Sequence, residues 1–172
     1  MADPQLSSRS RSADVDQNNL TQNKRNNSAF PTVNVDEKEL LLISFNMHGY
    51  NQGYQTVRDL IFDRNPDLFM LQEHWLTPAN LAKFENDFPA YNCFGSSAMT
   101  NCVELGVLRG RPFGGVMVLV SKKLQHCTQL LCAEERYVIV LIGNVLVIDV
   151  YLPCAGSNDR LCVCEELLCN IT

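Results

Sequence analysis

The hydrophobic positions of the chain begin at a sharp boundary near residue 39. A continuous apolar run over 40–45 ends at Asn46, a pattern that favours a strand buried on both faces. A second short apolar run covers 67–72. Between them, apolar residues recur at helical spacing: Tyr54, Val57, Leu60 and Ile61. Strand, helix and strand within this length predict a βαβ unit with two parallel strands.

The parallel arrangement brings the carboxyl ends of both strands to one edge of the sheet. Asn46 lies at the end of the first strand, and Glu73 lies at the end of the second. Open α/β sheets bind ligands outside this edge. We therefore expect the side chains of Asn46 and Glu73 to lie close together.

Shorter patterns continue along the rest of the chain. Gly143-Asn144 joins two β-rich runs and predicts an antiparallel hairpin with a type II′ turn, so we expect a mixed sheet. Thr77-Pro78 predicts a helix start with Thr as the N-cap. The remaining predictions are strands over 91–94, 113–120, 137–142 and 145–152, a long loop over 96–112 and a helix over 158–170.

Residues 1–36 form a polar segment that is rich in Ser, Arg, Asn and Gln, and this composition predicts a disordered tail. The segment lacks the apolar core of a secretory signal. The most apolar stretch, 137–152, is shorter than the roughly 20 residues that span a bilayer. We expect an intracellular protein, nuclear or cytoplasmic, with no membrane segment.

The 8 cysteines are expected to be reduced thiols, because disulfides are rare inside cells. Three of them lie together in the last predicted helix: Cys162, Cys164 and Cys169. Their spacing is not the CxxC spacing of zinc sites. We interpret these three cysteines as small buried apolar residues.

Composition favours one folded domain over residues 39–172. The full sequence has 172 residues, of which 46% are hydrophobic, and this is enough for a real core. Its formal net charge is -5. Proteins that bind nucleic acid through non-specific phosphate contacts are usually basic, so any such contact here requires a local basic patch.

Glu73 and Asn46 form the first candidate site. A carboxylate beside an amide suits Mg²⁺, which takes one or two carboxylates, keeps several waters and completes its shell with phosphate oxygens. The alternative is a solvated glutamate at a strand end and a turn-forming asparagine. A zinc site of His48, His74 and Glu73 is a further alternative, but the sequence has no His-Glu-x-x-His spacing to support it.

Tyr151 is the second candidate, because it ends its predicted strand where its hydroxyl can reach a phosphate or an attacking water. The alternative is an ordinary half-buried strand tyrosine. Asp149 shares the face of Tyr151 through the two-residue period of a strand. We therefore expect Asp149 to be partly buried and to need a partner.

Two arginines define the third candidate. Arg109 and Arg111 lie on a predicted loop beside Phe113, which indicates a patch that contacts phosphate or another part of a substrate. Three further cations are candidates to extend this patch: Lys122, Lys123 and Arg136. The alternative is a solvated, charged loop.

Several motifs recur together in a recognisable order. They are Ser-Phe-Asn-Met-His-Gly at 44–49, Pro-Asp-Leu-Phe-Met-Leu-Gln-Glu at 66–73, Gly-Gly at 114–115 and Val-Tyr-Leu-Pro-Cys at 150–154. Over residues 39–170 the chain resembles the endonuclease/exonuclease/phosphatase superfamily. Gln-Glu-His-Trp-Leu at 72–76 and Gly-Arg-Pro-Phe-Gly-Gly at 110–115 look most similar to the apurinic-type endonuclease domain of non-LTR (LINE-type) retrotransposon polyproteins.

The resemblance implies an α/β fold, a four-layered sandwich of two mixed sheets with helices outside. It also implies cleavage of DNA phosphodiesters with Mg²⁺ or Mn²⁺, and no small-molecule cofactor. By the same resemblance, Glu73 holds the cation, Asn46 assists it, and Tyr151 contacts the scissile phosphate. His48 stands where relatives often have another polar residue, and we group it with the two arginines as a substrate contact.

Two motifs of the family are absent from these 172 residues. They are a Gly-Asp-x-Asn strand and a final Ser-Asp-His, and no histidine follows His126. In the family these motifs supply the groups that activate water and stabilise charge on the phosphate. We therefore expect the amino-terminal portion of such a domain, with inactive or impaired catalysis and with apolar strand faces that lack partners.

Two other functions compete with a nuclease. The first is a non-catalytic remnant or binding fragment, favoured by the absent motifs. The second is a phosphoesterase of the same superfamily that acts on inositol phosphates or sphingolipids, which the fold by itself does not exclude. The retroelement-like motifs at 72–76 and 110–115 argue against the second.

Overall fold

The computed structural model describes residues 39–106, 110–158 and 160–171. The polar segment over 1–36 and Arg109 lie outside these residues. The strands are β1 (Leu42–Asn46), β2 (Leu68–Gln72), β3 (Tyr91–Ser96), β4 (Val116–Ser121), β5 (Thr128–Ala133), β6 (Tyr137–Ile142) and β7 (Val145–Val150). The α-helices are α1 (Tyr50–Arg64), α2 (Lys83–Asp87), α3 (Thr100–Glu104) and α4 (Arg160–Ile171), and two short 3₁₀ helices cover Pro78–Asn80 and Lys122–Cys127.

The predicted βαβ unit is confirmed. β1 and β2 are parallel, and Asn46 at the end of β1 pairs in register with Gln72 at the end of β2. Helix α1 connects them and buries Val57, while Phe62 on its other side is 88% exposed. The helix ends at Asn65, whose left-handed conformation (φ 43°) closes the last turn through a bond from its N–H to the Ile61 carbonyl oxygen.

The prediction that the first strand is buried on both faces is wrong. β1 lies at one end of a four-stranded sheet with the order β1-β2-β4-β3. Its residues alternate between exposed and partly buried, and Leu42 is 41% exposed. Within the described residues β1 pairs with β2 alone, so the apolar run is an edge strand, and the side of β1 that carries Leu42 stays exposed.

A second sheet covers one face of the first. It is antiparallel, with the order β5-β6-β7. Residues from the two sheets share one buried cluster: Leu68, Val116, Val118, Val120, Leu124, Val138, Val140, Ile142 and Val147. The opposite face of the first sheet packs against α1 and α2 in a second cluster that includes Phe69, Leu71, Met117, Leu119, Val57 and Phe84. The result is a mixed α/β fold with two facing sheets.

The expectation that the apolar strand faces lack partners is wrong for β4 and for the inner face of β6 and β7, whereas one side of β1 does stay exposed. Every residue of β4 is buried, because its even-numbered valines face the second sheet and Met117 and Leu119 face the helices. The second sheet comes from residues 128–150 of this same chain. Strand β5 was not predicted, because its sequence Thr-Gln-Leu-Leu-Cys-Ala has no clear two-residue period.

Local predictions have mixed outcomes. The hairpin at Gly143-Asn144 is confirmed, since β6 and β7 are antiparallel and Gly143 has φ 58°. The predicted loop over 96–112 instead contains α3. Thr77 precedes a 3₁₀ turn, and its hydroxyl accepts a bond from the Asn80 amide, 2.8 Å, instead of capping the backbone. In the described ranges, no helix has the length and apolar character needed to cross a membrane.

The shared core predicts a large effect of Leu68→Ala on stability. Leu68 is fully buried between the sheets, so its truncation leaves a cavity and lowers the free energy of unfolding by about 2–5 kcal/mol. Urea denaturation followed by circular dichroism measures the change. Leu161→Ala is the control, because Leu161 is 79% exposed on α4 and its loss costs less than about 0.5 kcal/mol. Equal effects of the two substitutions would contradict the shared core.

Candidate functional site

The carboxyl ends of β1 and β2 continue into two turns that are bonded to each other. The parallel ladder extends beyond the strands through three backbone hydrogen bonds, from Met47 N to Gln72 O (2.8 Å), from Gly49 N to Glu73 O (2.7 Å) and from Tyr50 N to His74 O (2.8 Å). Because both turns share these bonds, the residues at this edge have defined positions relative to each other. Asn46 and Glu73 meet here, as the parallel strands predict.

Strained backbone conformations cluster at the same edge. Four non-glycine residues in the described ranges have positive φ, and three of them are His48 (50°), Glu73 (55°) and Trp75 (55°). A left-handed conformation costs an ordinary residue roughly 1–2 kcal/mol, so it persists only where surrounding contacts enforce it. Such clusters are typical of functional sites.

Glu73 is the centre of the polar contacts. The Tyr151 hydroxyl donates to Glu73 Oε1 at 2.7 Å, and His48 Nδ1 lies 3.6 Å from Glu73 Oε2. Burial by itself raises the pKa of Glu73, but the hydrogen bonds from Tyr151 and Asn46, together with the neighbouring His48, outweigh it and hold this pKa below its ordinary value. The Glu73 side chain is 17% exposed. Glu73 is thus an ionised group that still reaches solvent at neutral pH.

Asn46 and Tyr151 act on this carboxylate from the two sheets. Asn46 Oδ1 accepts the His48 backbone N–H at 2.9 Å, which leaves its amide N–H₂ to donate to Glu73. Burial and the bond to Glu73 raise the pKa of Tyr151 to about 12, against the opposing effect of Arg136. The Tyr151 hydroxyl therefore remains protonated, and it is a permanent donor at this position.

His74 has a structural role that the sequence did not indicate. It is fully buried, its Nε2 lies 3.0 Å from the Ser96 carbonyl oxygen, and its Nδ1 accepts the Leu76 N–H at 3.0 Å. Burial lowers the pKa of His74 to about 4, so the ring is neutral. Because both ring nitrogens already have partners, the zinc alternative with His48 and Glu73 does not fit the geometry.

A groove of about 440 Å³ opens beside Glu73 and Tyr151. Trp75, Arg111, Phe113, Glu135 and Arg136 are among the other residues that line it. Arg111 Cζ lies 4.5 Å from the centre of the Trp75 ring, and Arg136 Cζ lies 5.9 Å from that of Tyr151. Two of the predicted cations, Arg111 and Arg136, are therefore at the site.

The proposed extension of this patch by Lys122 and Lys123 is wrong. β4 runs antiparallel to β2, so Val116 pairs with Gln72 at the carboxyl end of β2, and Val120 pairs with Leu68 at its other end. Both lysines follow β4. They consequently lie at the edge of the sheet that is opposite to Glu73.

Asp149 lies beneath the site and has the partner that was expected for it. It is 2% exposed, and its Oδ1 accepts the Gln72 side-chain amide at 2.6 Å. Its Oδ2 is buried and has no hydrogen-bond partner among the residues that the structure describes. Burial raises the pKa of Asp149 to about 7, although the bond from Gln72 opposes this shift. The role of Gln72 was missed, because its partner comes from a strand 77 residues away.

The cysteines of α4 do not form the buried group that was expected. Cys162 and Cys169 are exposed and Cys164 is partly buried, because the apolar contact of this helix is made by Leu167. Among the residues that the structure describes, no group of three or more His, Cys, Asp and Glu side chains has the geometry to hold a metal ion. A site that relies on one carboxylate and on water is compatible with this arrangement.

Comparison with known families gives the decisive observation. A sequence model of the Endonuclease/Exonuclease/phosphatase family matches residues 43–163. The chain belongs to this family. The matched segment covers β1 from its second residue and all of β2 and β7, and it includes Asn46, Glu73 and Tyr151. A comparison with curated protein sequences finds no match.

Solved structures share the fold at low sequence identity. A 3′ phosphatase, NExo, from Neisseria, bound to a product DNA hairpin, has a TM-score of 0.54 and 17% identity over 77% of this chain and 50% of its own. An AP endonuclease from Archaeoglobus fulgidus has a TM-score of 0.51 and 17% identity over 75% and 49%. D. rerio TDP2, complexed with a single-strand DNA product, has a TM-score of 0.50 and 20% identity over 77% and 54%. The chain thus spans about half the length of these structures.

Asp149 predicts a specific pH dependence of stability for this family member. An acid whose pKa is raised on folding binds a proton more tightly in the folded state, so its contribution to stability falls as pH rises from about 4 to about 7 and is constant above that. Asp149→Asn removes this decrease in the free energy of unfolding, which amounts to at most about 4 kcal/mol above pH 7.

Urea unfolding of the wild type and the variant at pH 4.5 and pH 8 measures the difference. We expect Asp149→Asn to gain stability relative to the wild type at the higher pH. Asp63→Asn on the exposed side of α1 is the matched control and should follow the wild type. Parallel pH profiles of the wild type and Asp149→Asn would contradict the assignment.

Proposed function

We propose that this chain forms the cation-binding and phosphate-contacting part of a divalent-metal-dependent phosphodiesterase site that acts on DNA. One observation carries the proposal. The ionised Glu73 carboxylate is held by donors from both sheets, Tyr151 and Asn46, and it faces a groove that contains two arginines.

The donor set fits a hard cation such as Mg²⁺ or Mn²⁺. Glu73 supplies an ionised oxygen ligand next to open volume, and such ions bind through one or two carboxylates while they keep several waters. Asn46 orients the carboxylate through its amide N–H₂, and its Oδ1, which accepts the His48 N–H, has a second lone pair at the same edge. When bound, the cation supplies positive charge that neutralises phosphate oxygens.

The remaining groups of the site act on the substrate. Tyr151 keeps its proton, so its hydroxyl can exchange its bond to Glu73 for a bond to an anionic oxygen in the groove. Arg136 lies over the Tyr151 ring and adds a fixed positive charge. His48, with 76% of its side chain exposed, lies at the mouth of the site beside Glu73. We assign these groups and Arg111 to phosphate and sugar contacts.

Three features support DNA as the substrate. Two structures with the same fold are complexes with DNA, a product hairpin and a single-strand product. The motifs at 72–76 and 110–115 are similar to those of retrotransposon endonuclease domains. Both motifs lie at the groove, since Trp75 and Arg111 are in contact there. We therefore favour DNA nicking of the retrotransposon type over the hydrolysis of inositol phosphates or sphingolipids.

Cation binding predicts a large effect of Glu73→Gln. The amide keeps the shape of the side chain but loses the negative charge, so the affinity for Mn²⁺ falls at least about tenfold. Isothermal titration calorimetry with Mn²⁺ measures it. Glu135→Gln is the matched control, because Glu135 lines the same groove and changes the net charge equally. Equal affinities of the two variants would place the cation elsewhere.

We further propose that these 172 residues by themselves bind the cation and DNA but nick weakly. Of the three histidines in the sequence, His74 is buried and neutral, and none follows His126. In-line hydrolysis requires a group that activates water and one that stabilises charge on the phosphate. The described site holds phosphate-facing donors and one cation ligand.

A plasmid assay tests this second proposal. Supercoiled plasmid with Mg²⁺ and the 172-residue protein should show nicking no faster than about twice the rate without protein. The same assay with Glu73→Gln is the control for contaminating nucleases. Robust nicking by the wild type that Glu73→Gln abolishes would overturn the proposal of weak activity and would leave the cation site intact.

A further inference from the structure

Trp75 forms a defined aromatic surface at the rim of the groove. It is the one tryptophan of the sequence, it follows Glu73 by two residues, and its backbone N–H donates to the Gly114 carbonyl oxygen at 2.9 Å. Its ring is only partly buried. The Arg111 guanidinium lies 4.5 Å from the ring centre, and the His48 ring centre lies 4.8 Å from it. The indole is thus held in place with a cation beside it.

Gly49 leaves the space that the indole occupies. A Cβ atom at Gly49 would come within 2.6 Å of Trp75 Cε3, so this close approach requires glycine at 49, where φ is 101°. The left-handed backbone of Trp75 itself adds strain. The ring therefore lies at the rim on a backbone conformation that is costly for a tryptophan.

Trp75 and Arg111 together form a wall that two cavities share. One is the groove of about 440 Å³ that contains Glu73 and Tyr151. The other, of about 370 Å³, lies against Gln52 and Lys83. Both cavities are lined by Trp75 and Arg111. An extended ligand that lies in the groove therefore meets a flat aromatic and guanidinium surface next to the candidate cation site.

Phe113 adds a second aromatic ring to the groove. It is 48% exposed, although it lies on the segment that leads into the fully buried strand β4. Aromatic rings and arginine planes are the surfaces on which nucleobases stack, and this stacking tolerates any base. The groove thus offers stacking surfaces within a few residues of the phosphate-facing donors.

The charges of the groove favour stacking over backbone attraction. Among the described residues that line the groove, Arg111 and Arg136 are balanced by Glu73 and Glu135 when no cation is bound, and the whole chain has a formal net charge of -5. Duplex DNA binds proteins mainly through many phosphate contacts, which require a positive surface. The faces of paired bases are covered by their neighbours in the stack, whereas unpaired bases expose theirs. This balance favours a ligand with unpaired bases.

We infer that Trp75, Arg111 and Phe113 form a base-stacking wall that makes this chain select DNA with unpaired nucleotides beside the cation site. The inference rests on the proposed function, because it names the form of DNA that enters the same groove. Stacking on these three side chains selects the unpaired nucleotides, and the groups on the Glu73 side of the groove orient the phosphate.

The fluorescence of Trp75 tests the inference directly, because no other tryptophan contributes to it. The wild-type chain is titrated in EDTA and moderate salt with a 10-nucleotide single strand and, separately, with the blunt duplex of the same sequence. We expect the single strand to quench the emission and to bind at least about tenfold more tightly than the duplex. Anisotropy of a labelled oligonucleotide provides a second measure of both affinities.

Two variants separate stacking from charge. Arg111→Lys keeps the charge but loses the planar group, and Phe113→Leu keeps an apolar side chain but loses the ring, so each should weaken single-strand binding about fivefold or more. Arg58→Lys is the matched control and should bind as the wild type does. Arg58 lies 5.6 Å from the centre of the Tyr54 ring on α1, outside the groove.

The outcomes are distinct from those that test the proposed function. Absence of quenching, a preference for the duplex, or equal affinities of Arg111→Lys and Arg58→Lys would overturn the stacking wall. If Mn²⁺ binding that depends on Glu73 persists in those cases, the proposed function stands alone. Quenching and single-strand preference in a chain that binds no Mn²⁺ would support the wall and overturn the cation site.

Discussion

The hydrogen bond from the Tyr151 hydroxyl to the Glu73 carboxylate is the interaction on which the site depends, because it joins the ends of two different sheets. A second bond, between Gln72 and Asp149, lies one step further inside. Gln72 and Glu73 are consecutive at the end of β2. Their partners, Asp149 and Tyr151, lie two residues apart at the end of β7. This pair of contacts sets how the two sheets meet at the carboxyl edge, where apolar packing by itself has little directional preference.

The same pair separates the roles of two carboxylates. Glu73 receives donors and retains partial access to solvent, so its pKa stays low and its charge is available to a cation. Asp149 receives one donor and is otherwise desolvated, so its pKa rises to about 7. Environments that shift the pKa values of two acids in opposite directions are characteristic of functional sites. Asp149 is a candidate supporting group for Gln72 and does not itself face the groove.

The rim of the site depends on backbone conformations that are costly by themselves. His48, Glu73 and Trp75 adopt left-handed conformations, and the backbone bonds between the two turns hold them there. The buried His74 fills the space beneath, and Gly115 is required because a side chain there would overlap the His74 ring. Glu73 and Trp75 line the groove above this buried layer.

The sequence by itself determined the βαβ unit, the hairpin at Gly143-Asn144 and the meeting of Asn46 with Glu73, because these follow from local periodicity and from the geometry of parallel strands. It also indicated Tyr151 and the need of Asp149 for a partner. Tertiary structure decided that β1 is an edge strand, that β5 completes a second sheet over β4, and that Arg136 and not Lys122 reaches the groove. Those outcomes depend on which strands pair across long stretches of chain, and the energy of such pairing comes from side chains that are distant in sequence.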